Sequence, residues 1–309
     1  MAVSPFCGNP IFIGGEGRSG TTLLSLILDS HPDLVVGPEL HFGGPENLGP
    51  YVLTCCDLLI ADDPRAFGKG LKANPQLKRG VQFAKRCHRF GITFDQLRQL
   101  IEQQMRQTRS KLERFEDRCA LINALGEARR AATGSARWGI KIMRDIAKVR
   151  AYGQRWPKAQ FLHLVRDGRD VAASQLLEHG TWGYRDIKRA AKGWVELIEK
   201  TRKDARAHSI MEVRYEDLVI EPAPTILRVV EFLGVGWRDD LLRHSELDHT
   251  LFANPYNHPS ITSVVQPITA ATVGRYKRDL AHDQIVAFDR IAGRYLAEFG
   301  YVAADERPD

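Results

Sequence analysis

The segment GGEGRSGTT, Gly14 to Thr22, ends the short apolar run PIFIGG and leads into TTLLSLILDSHP, whose apolar residues recur at helical spacing up to Pro32. A strand, a glycine-rich turn and a helix in that order leave the chain few options. The turn must lie at the carboxyl end of a strand and at the start of a helix, where backbone N–H groups and the helix dipole together hold an anion. Gly15 and Gly20 have the spacing of a triphosphate-binding loop, and Thr22 stands at its hydroxyl position. Thr21, however, replaces the lysine that reaches the β and γ phosphates, which argues against a magnesium-dependent triphosphate site. Arg18, inside the loop, offers a forked contact to a smaller anion instead.

A second unit of the same kind follows: QFLHLV (160–165), then RDGRD, then VAASQLLEHG, which ends at the helix-stopping Gly180. RWGIKI (137–142) and IMEVRY (210–215) read as further strands. Short buried strands alternating with helices predict an α/β chain, a P-loop-like three-layer fold with a central parallel β-sheet flanked by helices. Helical patterns fill 95–132, 185–207, 222–233 and 282–299, while 43–90, rich in Gly, Pro and basic residues, and 244–275 read as irregular. The 309 residues are expected to form a single domain, 1–309, with a lid or insertion at about 43–135. In the second unit Arg166 ends a strand and Ser174 follows two turns into the helix, so both meet one phosphate at the ligand edge of the sheet. Taken alone, Arg166, Asp167, Arg169 and Asp170 also read as an exposed ion-pair cluster. Two anion-ready turns on one edge favour a nucleotide with phosphates at two ends.

A formal charge of +6 suits an anionic ligand but falls short of a dedicated nucleic-acid binder, and 8% aromatic residues without an RNP-like motif point away from RNA. Cys7, Cys55, Cys56, Cys87 and Cys119 contain no C-x-x-C pair, so they read as reduced thiols rather than zinc ligands. The beginning MAVSPFCGNPIFIGG has no signal-peptide pattern, and no run of 18 uncharged apolar residues occurs. The expectation is a cytoplasmic protein without a membrane span.

RSGTT after the first strand, with LVRDGRDVAAS in a later unit, resembles the 3′-phosphoadenosine 5′-phosphosulfate (PAPS)-dependent sulfotransferases, nearest to the bacterial and tyrosylprotein branch. The match runs over 10–40, 137–180, 212–219 and 260–280. It implies a transferase that moves a sulfuryl group from PAPS to a hydroxyl and needs no metal. It also assigns Arg18, Ser19, Gly20, Thr21 and Thr22 to the 5′-phosphosulfate, Arg166 and Ser174 to the 3′-phosphate, and Tyr215 to the adenine. Ser260, Arg275, Tyr276 and Lys277 fall in the segment that closes over the nucleotide, where the family's Lys-Pro is Gln266-Pro267 here. Glu178 stands where tyrosylprotein enzymes carry a further arginine. By the same resemblance Lys141, beside Arg18, stabilises charge on the oxygen linking phosphate to sulfate. Glu39 in GPEL matches the base position, with His41 as the rival base. The implied partners are the nucleotide donor and a hydroxyl-bearing acceptor, with a small molecule, glycan or lipid favoured. The competing readings are a P-loop nucleotide kinase, which Thr21 opposes, and a non-catalytic nucleotide- or RNA-binding protein, which lacks the expected aromatic face.

Overall fold

The computed structural model describes residues 5–40, 48–62, 68, 74–177, 183–205, 207–256 and 258–301. Five strands, β1 (Ile11–Gly15), β2 (Leu34–Glu39), β3 (Arg137–Met143), β4 (Gln160–Val165) and β5 (Ser209–Arg214), form a sheet of order β2-β3-β1-β4-β5. Every pairing in it is parallel, so all five carboxyl ends share one edge. The helices are α1 (Thr21–Asp29), α2 (Leu48–Ala61), α3 (Pro75–Arg89), α4 (Phe94–Thr108), α5 (Phe115–Thr133), α6 (Val149–Arg155), α7 (Gly168–Leu176), α8 (Ile187–Ala205), α9 (Tyr215–Ile220), α10 (Pro222–Leu233) and α11 (His282–Glu298). Among the described residues no helix is long and apolar enough to cross a membrane.

Side chains of a strand alternate between faces, and β1 shows what that does. Phe12 packs with Trp138, Ile140, Tyr152 and Trp156 in a core shared with α2 to α6. Ile11 and Ile13 point the other way, into a core with Leu24 and Ile27 of α1 and Ile226 and Val229 of α10. Burial on both faces explains why these strands read as continuous apolar runs, and it gives the three layers expected from the sequence.

The structure departs from the sequence reading in three places. LVVGPE forms β2 beyond the four strands expected: Pro38 cannot donate to a ladder, but β2 is an edge strand, where that loss is tolerated. The helical stretch 95–132 is two helices, α4 and α5, separated by a turn in which Arg109 (φ 50°) and Leu112 (φ 59°) adopt left-handed backbone. The expectation of an irregular 43–90 is corrected by α2 and α3. Asn74 caps α3 by accepting from the Gln76 N–H at 3.0 Å, and its basic residues lie along a helical face rather than in a loop. In contrast, 244–275 contains only short helical turns such as Thr250–Ala253 and Ile261–Val264. The four helices α2 to α5 are inserted between β2 and β3, and α3 lies against β2.

Candidate functional site

Along the carboxyl edge of the sheet a cavity of about 1040 Å³ opens, lined from β5 to β2 by residues of every strand end and by α3. Its floor is the turn after β1. Gly20, with φ 94°, occupies the left-handed region, and a Cβ there would collide with the Tyr215 ring. Arg18 also has positive φ (76°), a strained state for a non-glycine residue that turns its side chain across the cavity. The α1 N-terminus has no side-chain cap and no acidic residue in its first turn, so its unpaired N–H groups face the turn. Ser19 is buried and donates from Oγ to the Glu16 carbonyl at 2.7 Å, which shapes the loop from beneath. Glu16, a buried carboxylate inside an anion-binding turn, is matched by an ion pair with Arg144.

The second turn, after β4, joins the first through side chains. Arg18 donates from Nε to Ser174 Oγ at 2.9 Å and from a terminal nitrogen to Ser260 Oγ at 3.0 Å. Arg166 donates to the Arg18 carbonyl at 3.1 Å and to the Thr272 carbonyl at 2.5 Å, and its guanidinium lies 4.4 Å from the centre of the Tyr215 ring. Its buried Nε has no hydrogen-bond partner. Unlike α1, α7 is capped by its own Asp167, which accepts from the Arg169 N–H at 2.9 Å, so this turn offers side chains rather than a helix end to an anion. Arg166, Asp167, Arg169 and Asp170 are all buried, which rules out the exposed ion-pair cluster. Asp170 accepts from the Gly274 N–H at 2.8 Å and the Tyr276 N–H at 2.9 Å, and so ties the 272–276 segment to α7. Burial pushes its carboxyl above the usual range despite those bonds.

Lys141 and Glu39 meet through two irregularities. The β2–β3 register shifts between Val36 and Glu39, and the β1–β3 register shifts between Ile13 and Gly14, which sets Glu39 opposite Lys141 beside the loop. Lys141 is 2% exposed and donates from Nζ to Thr22 Oγ1 at 2.7 Å. Burial, helped by the neighbouring Arg86 and Arg89 and opposed by Glu39, pushes its ammonium down to about 8. Glu39 Oε1 lies 3.4 Å from Arg86 of α3.

The cavity thus brings together Arg18, Gly20, Thr21, Thr22, Glu39, Lys141, Arg166, Ser174, Tyr215, Ser260 and Arg275. Tyr276 and Lys277 do not line it: the Tyr276 ring is buried against the Arg169 guanidinium at 4.3 Å, and Lys277 is exposed. Arg275 lines it while paired to Asp279 at 2.7 Å. His41 and Glu178 lie outside the described residues.

Two groups of lining residues escaped the sequence reading. The first is Lys78, Lys85, Arg86 and Arg89 on α3, with Tyr256 facing them. Only recognising a helix there, by its periodicity, would have exposed this basic face. The second is His258, whose ring is pushed down to about 3 by burial and by Lys141, Arg89 and Arg18, with Glu39 opposing. Its Nδ1 accepts from the Ser260 N–H at 3.2 Å, so the neutral ring carries its proton on Nε2. His258 therefore offers a hydrogen-bond donor and not a base. Nothing in the sequence around NHPS marked it.

The model of a sulfotransferase family matches residues 10–239. A protein-tyrosine sulfotransferase of Drosophila melanogaster is 24% identical over 307 residues, which cover 97% of this chain and 53% of that protein. One of Caenorhabditis elegans is 23% identical over 96% of this chain and 67% of its own length. The chain therefore spans about half to two thirds of the length of these relatives. Among solved structures, the sulfotransferase domain of the Synechococcus PCC 7002 olefin synthase superposes with a TM-score of 0.62 at 19% identity, covering 96% of this chain and 98% of that domain. The sulfotransferase domain of the curacin biosynthetic pathway gives 0.56 at 18%, covering 97% and 99%. These two likenesses concern the fold.

Proposed function

We propose that this chain, which belongs to the sulfotransferase family, moves a sulfuryl group from PAPS to a hydroxyl of an acceptor. The observation that carries the reading is the order of groups along one sheet edge. From β5 to β2 come Tyr215, Arg166 with Ser174, the Arg18–Thr22 turn, Lys141 and Glu39. That sequence of functions fits adenine, 3′-phosphate, 5′-phosphosulfate, bridging oxygen and incoming hydroxyl in turn. The uncapped α1 N-terminus, the unpaired Nε of Arg166 and the buried ammonium of Lys141 are sites that an anion completes.

In this account the acceptor oxygen attacks sulfur in line as its proton passes to the Glu39 carboxylate. The bond between sulfur and the 5′-phosphate oxygen breaks, and adenosine 3′,5′-bisphosphate leaves with the electron pair. Charge on that oxygen is met by Lys141, Arg18 and the α1 N–H groups, which are held in place before reaction. Arg and Lys thus take the role that magnesium plays in triphosphate chemistry. Lys141, half of whose population stays charged at pH 8, is cationic at neutral pH. The protonated Nε2 of His258 makes Glu39 the better base within the described residues. The tyrosine named in the relatives from Drosophila and Caenorhabditis is one acceptor hydroxyl among several that this site chemistry accommodates, small-molecule, glycan and lipid hydroxyls included.

The reading is tested by incubating the protein with PAPS labelled in its sulfate and a fractionated cell extract. Labelled product that forms with the wild-type protein and fails to form with Lys141→Ala supports it. Label released only as inorganic sulfate contradicts it.

A further inference from the structure

Arg166 reaches the cavity from a linkage that lies behind it. The peptide joining Arg166 to Asp167 falls between the last residue of β4 and the first of α7, and side chains bond both of its polar groups. Its N–H donates to Glu216 Oε1 at 3.0 Å, and its C=O accepts from the Trp194 indole N–H at 3.1 Å. A peptide unit is planar, so a bond on each side fixes its rotation and with it the direction in which the Arg166 side chain leaves the backbone. Neither Glu216 nor Trp194 lines the cavity; they are 5% and 3% exposed.

The register of the sheet brings Glu216 there. β5 pairs with β4 up to Val165 opposite Arg214, so Tyr215 and Glu216, the first two residues of α9, come alongside Arg166 and Asp167. The Tyr215 ring faces the Arg166 guanidinium with its centre 4.4 Å away, while Glu216 holds the peptide at the other end of the same residue. Tyr301 supports Glu216 in turn by donating from its hydroxyl to Oε2 at 2.7 Å. Trp194 of α8 approaches because Gly168 has no side chain: a Cβ there would lie 2.7 Å from the indole. Trp194 and Tyr301 belong to one buried cluster with Phe288 and Phe299, so both supports are locked by packing. Burial raises the Glu216 carboxyl above its usual range. An amide in its place offers the same oxygen to the Asp167 N–H and a donor to the Tyr301 oxygen, with no charge to bury.

We infer that Glu216 and Trp194 are positioning residues: by holding the Arg166–Asp167 peptide they aim the Arg166 guanidinium at the 3′-phosphate and set the preference for a nucleotide that carries one. This inference rests on the sulfotransferase reading above. Its test is calorimetry with adenosine 3′,5′-bisphosphate and adenosine 5′-monophosphate, which differ only in the 3′-phosphate. Glu216→Ala is expected to weaken the bisphosphate about tenfold, the scale of one hydrogen bond to a charged group, with the monophosphate changed by about threefold or less. Glu216→Gln restores the preference to within about threefold, and Trp194→Phe, which keeps a ring without the N–H, lowers it in part. In an Arg166→Ala background Glu216→Ala has no further effect on the preference, because the side chain it aims is gone. A residue that served the fold alone would weaken both nucleotides together and would add its effect to that of Arg166→Ala. Either of those results, a Glu216→Gln variant as poor as Glu216→Ala, or an unchanged preference in Trp194→Phe overturns the inference, and the last two stand even where Glu216→Ala does not fold. A wild type without preference for the bisphosphate counts against the sulfotransferase reading and removes the positioning role with it, whereas a wild-type preference that survives the substitutions counts against the positioning role alone.

Discussion

Lys141→Met separates what the site needs from what the fold prefers. Lys141 is 2% exposed, and burial lowers its ammonium from 10.5 to about 8. At about 1.4 kcal/mol per pH unit, holding that charge inside the protein costs about 3 kcal/mol. Methionine fills a similar volume without the charge but forfeits the bond to Thr22, worth about 1 kcal/mol. The variant is therefore expected to be more stable than the wild type by about 2 kcal/mol at pH 7, a rise of roughly 3 °C in Tm for a chain of 309 residues. The pH dependence carries the sign. Below pH 8 the lysine is charged in both folded and unfolded states, and the full penalty is present. Between 8 and 10.5 the unfolded chain binds the extra proton, so the wild type gains stability as pH rises and the advantage of the variant fades. Urea unfolding at pH 7, 8, 9 and 10 measures this directly. In the account proposed here, transfer activity falls about 10²- to 10³-fold in the same variant. A variant less stable than the wild type at pH 7, or a difference that does not change up to pH 10, refutes the reasoning.

Two further substitutions probe the loop and the base. Gly20→Ala forces a side chain into left-handed backbone and against the Tyr215 ring, so it should cost about 1 to 3 kcal/mol of stability and weaken the bisphosphate further by displacing the ring; unchanged affinity and Tm would show that the close approach is unimportant. Glu39→Gln keeps the shape and removes the basic oxygen. It should lower turnover about 10²-fold or more with bisphosphate affinity within a factor of about three, whereas full turnover assigns the proton to another group.

How far the sequence carries depends on whether a residue's role is local. Arg18, Gly20 and Thr22 were legible because a strand, a glycine turn and a helix already dictate where the turn lies. Arg166 and Ser174 were legible for the same reason, since the second strand, turn and helix put Arg166 just after β4 and Ser174 in α7. Glu39 and Lys141 were found by resemblance, but their opposition depends on register shifts in β1–β3 and β2–β3, which leave no periodic trace. The basic face of α3 was visible in composition and misread as loop, because its charged residues outweigh the apolar stripe that makes it a helix. His258 was invisible: only the fold brings it beside Lys141 and Arg89, and a neutral histidine there is a product of that surrounding charge. Tyr276, expected at the nucleotide, instead packs against Arg169, a choice made by the buried ion-pair network behind the second turn.

The most direct measurement is a calorimetric titration, without added metal, of the wild type and Arg166→Ala with adenosine 3′,5′-bisphosphate and with ADP. The account predicts that the wild type binds the bisphosphate at least about 100-fold more tightly than ADP, a gap of about 2.7 kcal/mol, and that Arg166→Ala loses most of that preference. Equal binding of the two nucleotides, or tight ADP binding that requires magnesium, contradicts it.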